Sequence, residues 1–219
     1  MVTLEEVKDN PHVNTFVRRG NEHLGVMGYT DHGTLHISLV SRLAKDILLQ
    51  LGYDERTAEL AGIAGYMHDI GNVVNRNGHS QSGALMAMEL LNRMGMEPDE
   101  ISIVSAAIGN HDEGTGHAVN PVAAALILAD KSHVHRNRVR NHDVATFDIH
   151  DRVNYAVEKS NLMIDAKQKV ISMELNIDIS ICPVMEYFEI FLSRMLMCRR
   201  AADFFDCEFA LIINGARLL

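Results

Sequence analysis

The sequence predicts a mostly helical protein with a helical bundle over residues 1–145 and a small α+β appendage over residues 146–219. Apolar residues recur every three or four positions through five segments between residues 35 and 135, which is the period of a helix with one buried face. After Arg152 the pattern changes to alternation, which is typical of half-buried strands. A chain of 219 residues, 47% of them apolar, can bury its own core.

Five helices are predicted in the first part, each delimited by a cap, a proline or a glycine. Gly52 stops the first helix, and Asp54 is a good N-cap for the second. Asn120 and Pro121 supply a cap and a first helical residue for the fifth. The predicted helices are Leu35–Leu51, Asp54–Met67, Ser80–Met94, Pro98–Ile108 and Asn120–His135, with a break at Gly71 and a polar loop over Asn72–Gly78.

The second part is predicted to form a β-β-α-β unit that packs on the bundle. Alternation over Val153–Val157 and Met173–Ile179 predicts two strands, and Asp165–Lys169 is predicted to be a turn. Pro183 can open a long helix, and Phe209–Ile213 has the pattern of a last strand. This part carries no catalytic motif. It could shape the substrate cleft or form a homodimer interface, and the sequence leaves both possibilities open.

Composition excludes several classes of protein. The net charge of −9 argues against binding to a nucleic-acid polymer, which normally requires a basic face. The longest apolar run, Val122–Ala129, is far shorter than the roughly 20 residues that span a bilayer. Met1–Asn10 is polar and acidic rather than a secretory leader. We therefore expect a cytoplasmic protein without a membrane partner, whose three cysteines are reduced.

Six histidine and aspartate residues lie at or near predicted helix ends or in short loops, where an antiparallel bundle can bring them together. They are His36, His68, Asp69, His79, His111 and Asp130. Imidazole and carboxylate donors without a thiolate favour iron or manganese, with nickel, zinc or magnesium as alternatives. We predict two divalent metal ions with coordination positions left open for water and substrate.

Asp130 is the most informative of the six residues. A single histidine on a helix is usually structural, so the histidines carry weight only in combination. Asp130 directly follows the apolar run Ala123–Ala129. A carboxylate in that position is costly to bury unless it is paired or binds a metal.

The combination resembles the HD-domain superfamily of metal-dependent phosphohydrolases over about residues 30–140. The matching segments are His36–Val40, Met67–Gly71, His79–Ser80 with Gly83–Ala84, Asn110–His111 and Leu128–Lys131. The resemblance implies a helical bundle that hydrolyses phosphate mono- or diesters by means of a metal-activated water. It also implies that one metal is held by His36, His68, Asp69 and Asp130.

His79 and His111 match the binuclear members of the superfamily, such as HD-GYP phosphodiesterases and HD-type diadenosine tetraphosphate hydrolases. In those members the position of Asp69 bridges two metals, so the resemblance makes Asp69, His79 and His111 the catalytic group. The Gly-Tyr-Pro signature is absent, because Gly114–His117 stands in its place. Asn72 replaces the lysine that often follows the motif. Both departures argue against a cyclic dinucleotide substrate.

Three further residues are candidates for contacting the substrate or supporting the ligands: His32, Asn72 and Lys131. His32 lies one helical turn before His36 if the first helix starts early. Lys131 opens the main basic cluster of the chain and would share a helix face with His135. In the same cluster we expect Arg138 and Arg140 to be solvated.

The favoured function is therefore hydrolysis of a small anionic phosphoester by a binuclear metal enzyme. In a second interpretation, the same ligands bind a mixed-valent di-iron centre, and the protein is an oxygenase similar to myo-inositol oxygenase. A third is a non-catalytic sensor or scaffold. Ligands present at all six positions argue against the third interpretation.

Overall fold

The computed structural model describes residues 1–219 and confirms a helical bundle with a small C-terminal α+β appendage. The α-helices are α1 (Leu4–Lys8), α2 (Pro11–Val26), α3 (Thr34–Gln50), α4 (Glu55–Met67), α5 (His79–Met94), α6 (Pro98–Gly109), α7 (Pro121–Ser132), α8 (Ile149–Ala156) and α9 (Val184–Phe204). The strands are β1 (Val157–Asp165), β2 (Val170–Ile177), β3 (Glu208–Ile213) and β4 (Ala216–Arg217). Three short 3-10 helices cover Ile70–Val73, Arg136–Arg138 and Val144–Thr146.

Helix α7 lies at the centre of the bundle. All its side chains from Val122 to Ala129 are buried, as expected for a helix that is apolar on every side. Helices α3, α4, α6 and α9 pack around it. The helix ends at Ser132 rather than at His135, so the prediction that Lys131 and His135 share a helix face is wrong.

Helices α1 and α2 were not among the predicted helices. Asn10 caps α2 by accepting hydrogen bonds from two backbone N–H groups, and Pro11 follows as its first residue. Val13, Val17 and Leu24 form its buried stripe, and α2 packs against the 3-10 turn Ile70–Val73.

The sheet has the order β1-β2-β3-β4 and contains both kinds of pairing. Strands β1 and β2 form an antiparallel hairpin, with Asp165 opposite Val170 across the turn. Strand β3 lies parallel to β2, and α9 is the crossover connection that a parallel pair requires. The predicted strand at Val153–Val157 is wrong for most of its length. Asp148 caps α8 there, and β1 begins only at Val157.

One hydrophobic core of 54 buried side chains joins the bundle to the appendage. It includes Leu128 from α7 as well as Phe191 and Met195 from α9. The two parts share this core, so the boundary near residue 145 stays a prediction. The three cysteines are buried and free, and burial raises the pKa of Cys198 to about 12. No helix has the length and apolar character needed to cross a membrane.

Candidate metal centre

The structure brings the six predicted donors into one buried cluster. His36 comes from α3, and His68 and Asp69 follow α4. The remaining three come from the first residue of α5, the segment after α6 and the last turn of α7, and they are His79, His111 and Asp130. Five of the six are buried, and the side chain of Asp130 is 12% exposed. The order of helices thus collects residues that lie far apart in the sequence.

The first group of donors consists of His36, His68 and Asp130. The Nε2 atoms of the two histidines are 3.2 Å apart. Asp130 Oδ1 lies 3.4 Å from His36 Nε2 and 3.6 Å from His68 Nε2. One ligand atom from each residue lies within 4.8 Å of the others, a spacing that suits a shared ion.

The second group contains His79 and His111, whose Nε2 atoms are 3.1 Å apart. Asp69 lies between the two groups. Its Oδ1 is 3.6 Å from His79 Nε2, and its Oδ2 is 3.3 Å from His68 Nε2. These distances show that the carboxylate of Asp69 has one oxygen toward each group. His68, Asp69 and His111 form a further compact triad.

Backbone carbonyls fix the protonation of three of the imidazoles. The Nδ1 atoms of His68, His79 and His111 lie 2.8, 3.0 and 2.6 Å from carbonyl oxygens of Gly65, Arg76 and Ile108. A carbonyl can only accept, so each Nδ1 carries a proton and Nε2 is the ring nitrogen that faces the cluster. In a neutral ring this Nε2 presents a lone pair. Metal-binding histidines are commonly held by this kind of bond.

The six side chains of the cluster are arranged as ligands of a metal ion rather than as a self-sufficient hydrogen-bonded core. Asp69 Oδ2 is buried and has no hydrogen-bond partner, and the lone pairs of His79 and His111 face each other. A buried polar atom without a partner is costly. A cation between these atoms would satisfy both features. Imidazole nitrogen and carboxylate oxygen suit iron, manganese, zinc or nickel.

The charges of the cluster shift its pKa values strongly. Burial disfavours the charged form of His68, but the carboxylates of Asp69 and Asp130 outweigh it and raise its pKa to about 10. Burial, together with Arg138, lowers the pKa of His36 to about 3. Burial alone would raise the pKa of Asp69, yet the facing His68 holds it well below its usual value.

Asn72, which follows the motif, holds Asp69 in position, and Gly71, the last residue of the motif, allows α5 to pack closely. Asn72 donates from Nδ2 to Asp69 Oδ1 at 2.8 Å and to its backbone oxygen at 3.0 Å. Asn72 is buried and acts on the carboxylate rather than lining the neighbouring cavity. Gly71 allows α5 to approach, because a Cβ there would lie 2.0 Å from the carbonyl oxygen of His79.

A polar cavity of about 490 Å³ adjoins the cluster. None of the six donors lines it, but its wall includes residues that contact them. The ring of His32 lies 5.3 Å from that of His36, although His32 precedes α3 rather than belonging to it. Arg76 Nη1 is 3.4 Å from His79 Nε2. The cavity therefore borders the cluster through residues that contact two of the donors.

Lys131 is buried and neutralises carboxylates beside the site. Its Nζ lies 2.7 Å from Asp130 Oδ2 and 3.4 Å from Glu113 Oε1. Glu113 also accepts a hydrogen bond of 2.8 Å from Arg194 on α9. Lys131 does not line the cavity, so its contacts support Asp130.

Several residues around the cluster were not predicted from the sequence. The prediction that Arg138 is solvated is wrong, because it is only 6% exposed and lines the cavity. His133 Nδ1 contacts His36 Nδ1 at 2.9 Å. Arg76 and Arg194 were not singled out. His133 and Arg138 belong to the basic cluster that follows α7, and that clustering is the one sequence signal available for them.

A family model for the HD domain matches residues 35–152, which is more than half of the chain. The chain therefore belongs to the HD domain family, whose members are generally metal-dependent hydrolases. It is also similar to the Uncharacterized protein MJ1020 of Methanocaldococcus jannaschii. The two are 26% identical over 194 residues, which cover 78% of this chain and 74% of the relative. The family match includes all six donors and stops before the sheet and α9.

Proposed function

We propose that the protein is a binuclear metal-dependent phosphohydrolase that acts on a small anionic phosphoester. The observation that carries the proposal is the position of Asp69 between two groups of imidazole nitrogens, with one buried oxygen lacking a partner. The adjoining cavity is lined by Arg76, Arg138 and Arg194, which suits a phosphorylated substrate.

His36, His68, Asp69 and Asp130 would hold one ion, and Asp69, His79 and His111 the other. Iron or manganese fits these donors best, and nickel, zinc and magnesium are the alternatives. Two divalent ions in such a site acidify water and offset the negative charge of a phosphoryl group. In the overall reaction water cleaves one ester P–O bond. A monoester yields an alcohol and inorganic phosphate, and a diester yields an alcohol and a phosphomonoester.

The side chains around the donors have separate tasks in this proposal. Asn72 fixes the orientation of the Asp69 carboxylate, and Lys131 does the same for Asp130. Burial of the donors excludes bulk water, which strengthens the electrostatic interactions inside the site. The arginines of the cavity would bind the phosphate group and orient its ester bond.

We expect two ions per chain. Elemental analysis of protein reconstituted with iron or manganese at neutral pH measures this number, and a panel of phosphomonoesters and phosphodiesters measures turnover. Trace metal only, with no hydrolysis, would contradict the proposal. Turnover that requires dioxygen, with an iron-specific spectrum, would replace it by the di-iron oxygenase. Metal-free protein serves as the control.

Metal binding is expected to release a proton. In the metal-free protein the raised pKa of His68, about 10, keeps this ring protonated at neutral pH. A metal ligand must be unprotonated, so binding displaces the proton and the apparent affinity rises with pH, about tenfold per unit below pH 10. Calorimetric titration with Mn²⁺ in two buffers of different ionisation enthalpy measures the release. Equal heats in both buffers would show that His68 is already neutral.

A further inference from the structure

We propose that helix α9 completes the substrate pocket and that Arg194 and Arg138 together bind the phosphate group of a phosphomonoester. The alcohol part of this substrate would be rich in hydroxyl groups and would bind at the outer wall of the cavity. The inference rests on the proposed function, since it names the substrate class of the same site. Helix α9 lies outside the matched family segment.

Two contacts fix the guanidinium of Arg194 in an orientation that leaves its terminal nitrogens free to bind an anion. Its Nε donates to Glu113 Oε1 at 2.8 Å, and its guanidinium carbon lies 4.1 Å from the centre of the Phe191 ring. These contacts leave both terminal nitrogens without a hydrogen bond in a side chain that lines the cavity. A planar guanidinium held at Nε presents its two remaining nitrogens as a fork that matches phosphate oxygens.

Arg138 brings a buried positive charge that makes no ion pair with a carboxylate. Its Nε donates to the backbone oxygen of Asp31 at 3.0 Å, and its Nη1 donates to that of His133 at 2.7 Å. No hydrogen bond is made by Nη2, and the residue lines the same cavity as Arg194. A buried charge paired only with carbonyl oxygens is costly, so an anion in the cavity would stabilise it.

The ion pairs around the cavity favour a substrate that carries two negative charges. Arg194 is paired with Glu113, and Lys131 is paired with Asp130. Arg76 and Arg138 line the cavity and form no ion pair with a carboxylate. Two of the three guanidinium groups in the cavity therefore have no carboxylate in contact, because the other carboxylates of the lining, Asp148 and Asp151, form no ion pair with them. A phosphomonoester carries close to two negative charges at neutral pH, whereas a diester carries one.

The outer wall of the cavity has the opposite character. It is formed by the cap and the residues of α8: Asp148 and His150 are exposed at the surface, and Asp151 and Asn154 lie deeper. Carboxylates repel a phosphate group but accept hydrogen bonds from hydroxyl groups. The cavity, at about 490 Å³, has the size of a small-molecule site. This polarity orients the substrate with its phosphate toward the cluster and its hydroxyl groups toward α8.

The test uses the full-length, metal-loaded protein and compares Arg194→Lys with wild type. Lysine keeps the charge beside Glu113 but lacks the planar pair of terminal nitrogens that would bind two phosphate oxygens together. We expect the Kd for inorganic phosphate, measured by calorimetry, to rise about tenfold. The KM for phenyl phosphate should rise similarly, with kcat within about twofold of wild type and metal content unchanged. Arg200→Lys, an exposed position on the same helix, is the matched control.

Unchanged phosphate affinity in Arg194→Lys would overturn the proposal, even if phosphoester hydrolysis is found. If no ester is hydrolysed, the proposed function fails, while phosphate binding still decides whether the two arginines bind an anion. If Arg194→Lys does not fold, the phosphate affinity of Arg138→Lys is measured instead, and the same outcomes support or overturn the proposal.

The outer wall is tested with Asp151→Asn and two monoesters. The KM for glucose 6-phosphate is expected to rise severalfold, while that for phenyl phosphate, which lacks hydroxyl groups, stays the same. An equal change for both substrates, or no change for either, would remove the hydroxyl-binding role of the outer wall.

Discussion

Replacing Asp69 by alanine is expected to lower kcat/KM for phosphoester hydrolysis on the order of a thousandfold. The carboxylate of Asp69 lies against both groups of imidazoles, 3.3 Å from His68 Nε2 and 3.6 Å from His79 Nε2. Its loss therefore affects both proposed ions. Loss of His79 or His111 removes a ligand from one ion only, so each single alanine variant should retain more activity. Steady-state kinetics with metal analysis on the same samples measures both effects.

Asp69→Asn is the finer version of this experiment, because the side chain keeps its shape and loses its charge. The exposed carboxylate of Asp99 in the first turn of α6 offers a matched control, Asp99→Asn, which should behave as wild type. Wild-type turnover of Asp69→Ala with both metals bound would show that the bridging role is wrong.

Gly71→Ala is expected to lower the free energy of unfolding by about 3 kcal/mol, which corresponds to a fall in Tm of roughly 6–12 °C. The added Cβ would lie 2.0 Å from the carbonyl oxygen of His79 and 2.5 Å from the backbone nitrogen of Gly83. Both contacts are with backbone, so α5 has to move away. Because His79 is the first residue of α5, the same shift should reduce the metal content.

Thermal unfolding followed by circular dichroism, with and without Mn²⁺, measures the effect of this substitution. Gly109→Ala is the control. It ends α6, and an added Cβ there would meet only the Ala84 side chain at 3.6 Å. A change in Tm of less than about 2 °C is expected for the control. If the change in Tm of Gly71→Ala were as small as that of Gly109→Ala, the close approach of α5 would not be needed for the fold.

Helices α3 to α6 could be predicted because each has a regular apolar stripe with a cap or a glycine at its end. Helix α7 could be predicted because a continuous apolar run follows the cap Asn120 and Pro121. The strand predicted at Val153–Val157 failed because three alternating apolar residues fit either period at that length. Asp148, which caps α8 by accepting from the Asp151 N–H, was the signal for a helix. Asn10 followed by Pro11 was a comparable signal for α2.

The convergence of the six candidate ligands could be predicted from the sequence because they stand in motifs at or near helix ends. The arginines of the cavity could not. Arg138 is buried because backbone oxygens of Asp31 and His133 accept its hydrogen bonds, and no local pattern reveals a partner so far along the chain. Arg194 meets Glu113 only through the packing of α9 on α7. Long-range packing decides which members of a basic cluster become buried.

The parallel pairing of β3 with β2 has a consequence for the order in which the molecule assembles. The six donors lie between residues 36 and 130, and the helices that carry them contact one another through the bundle. Strand β3 is made near the end of the chain and can join β2 only after α9 has crossed back over the sheet. Such non-local pairing is slow to form. During synthesis on the ribosome, the donors therefore emerge before α9, and Arg194 reaches the pocket only once α9 has packed on α7.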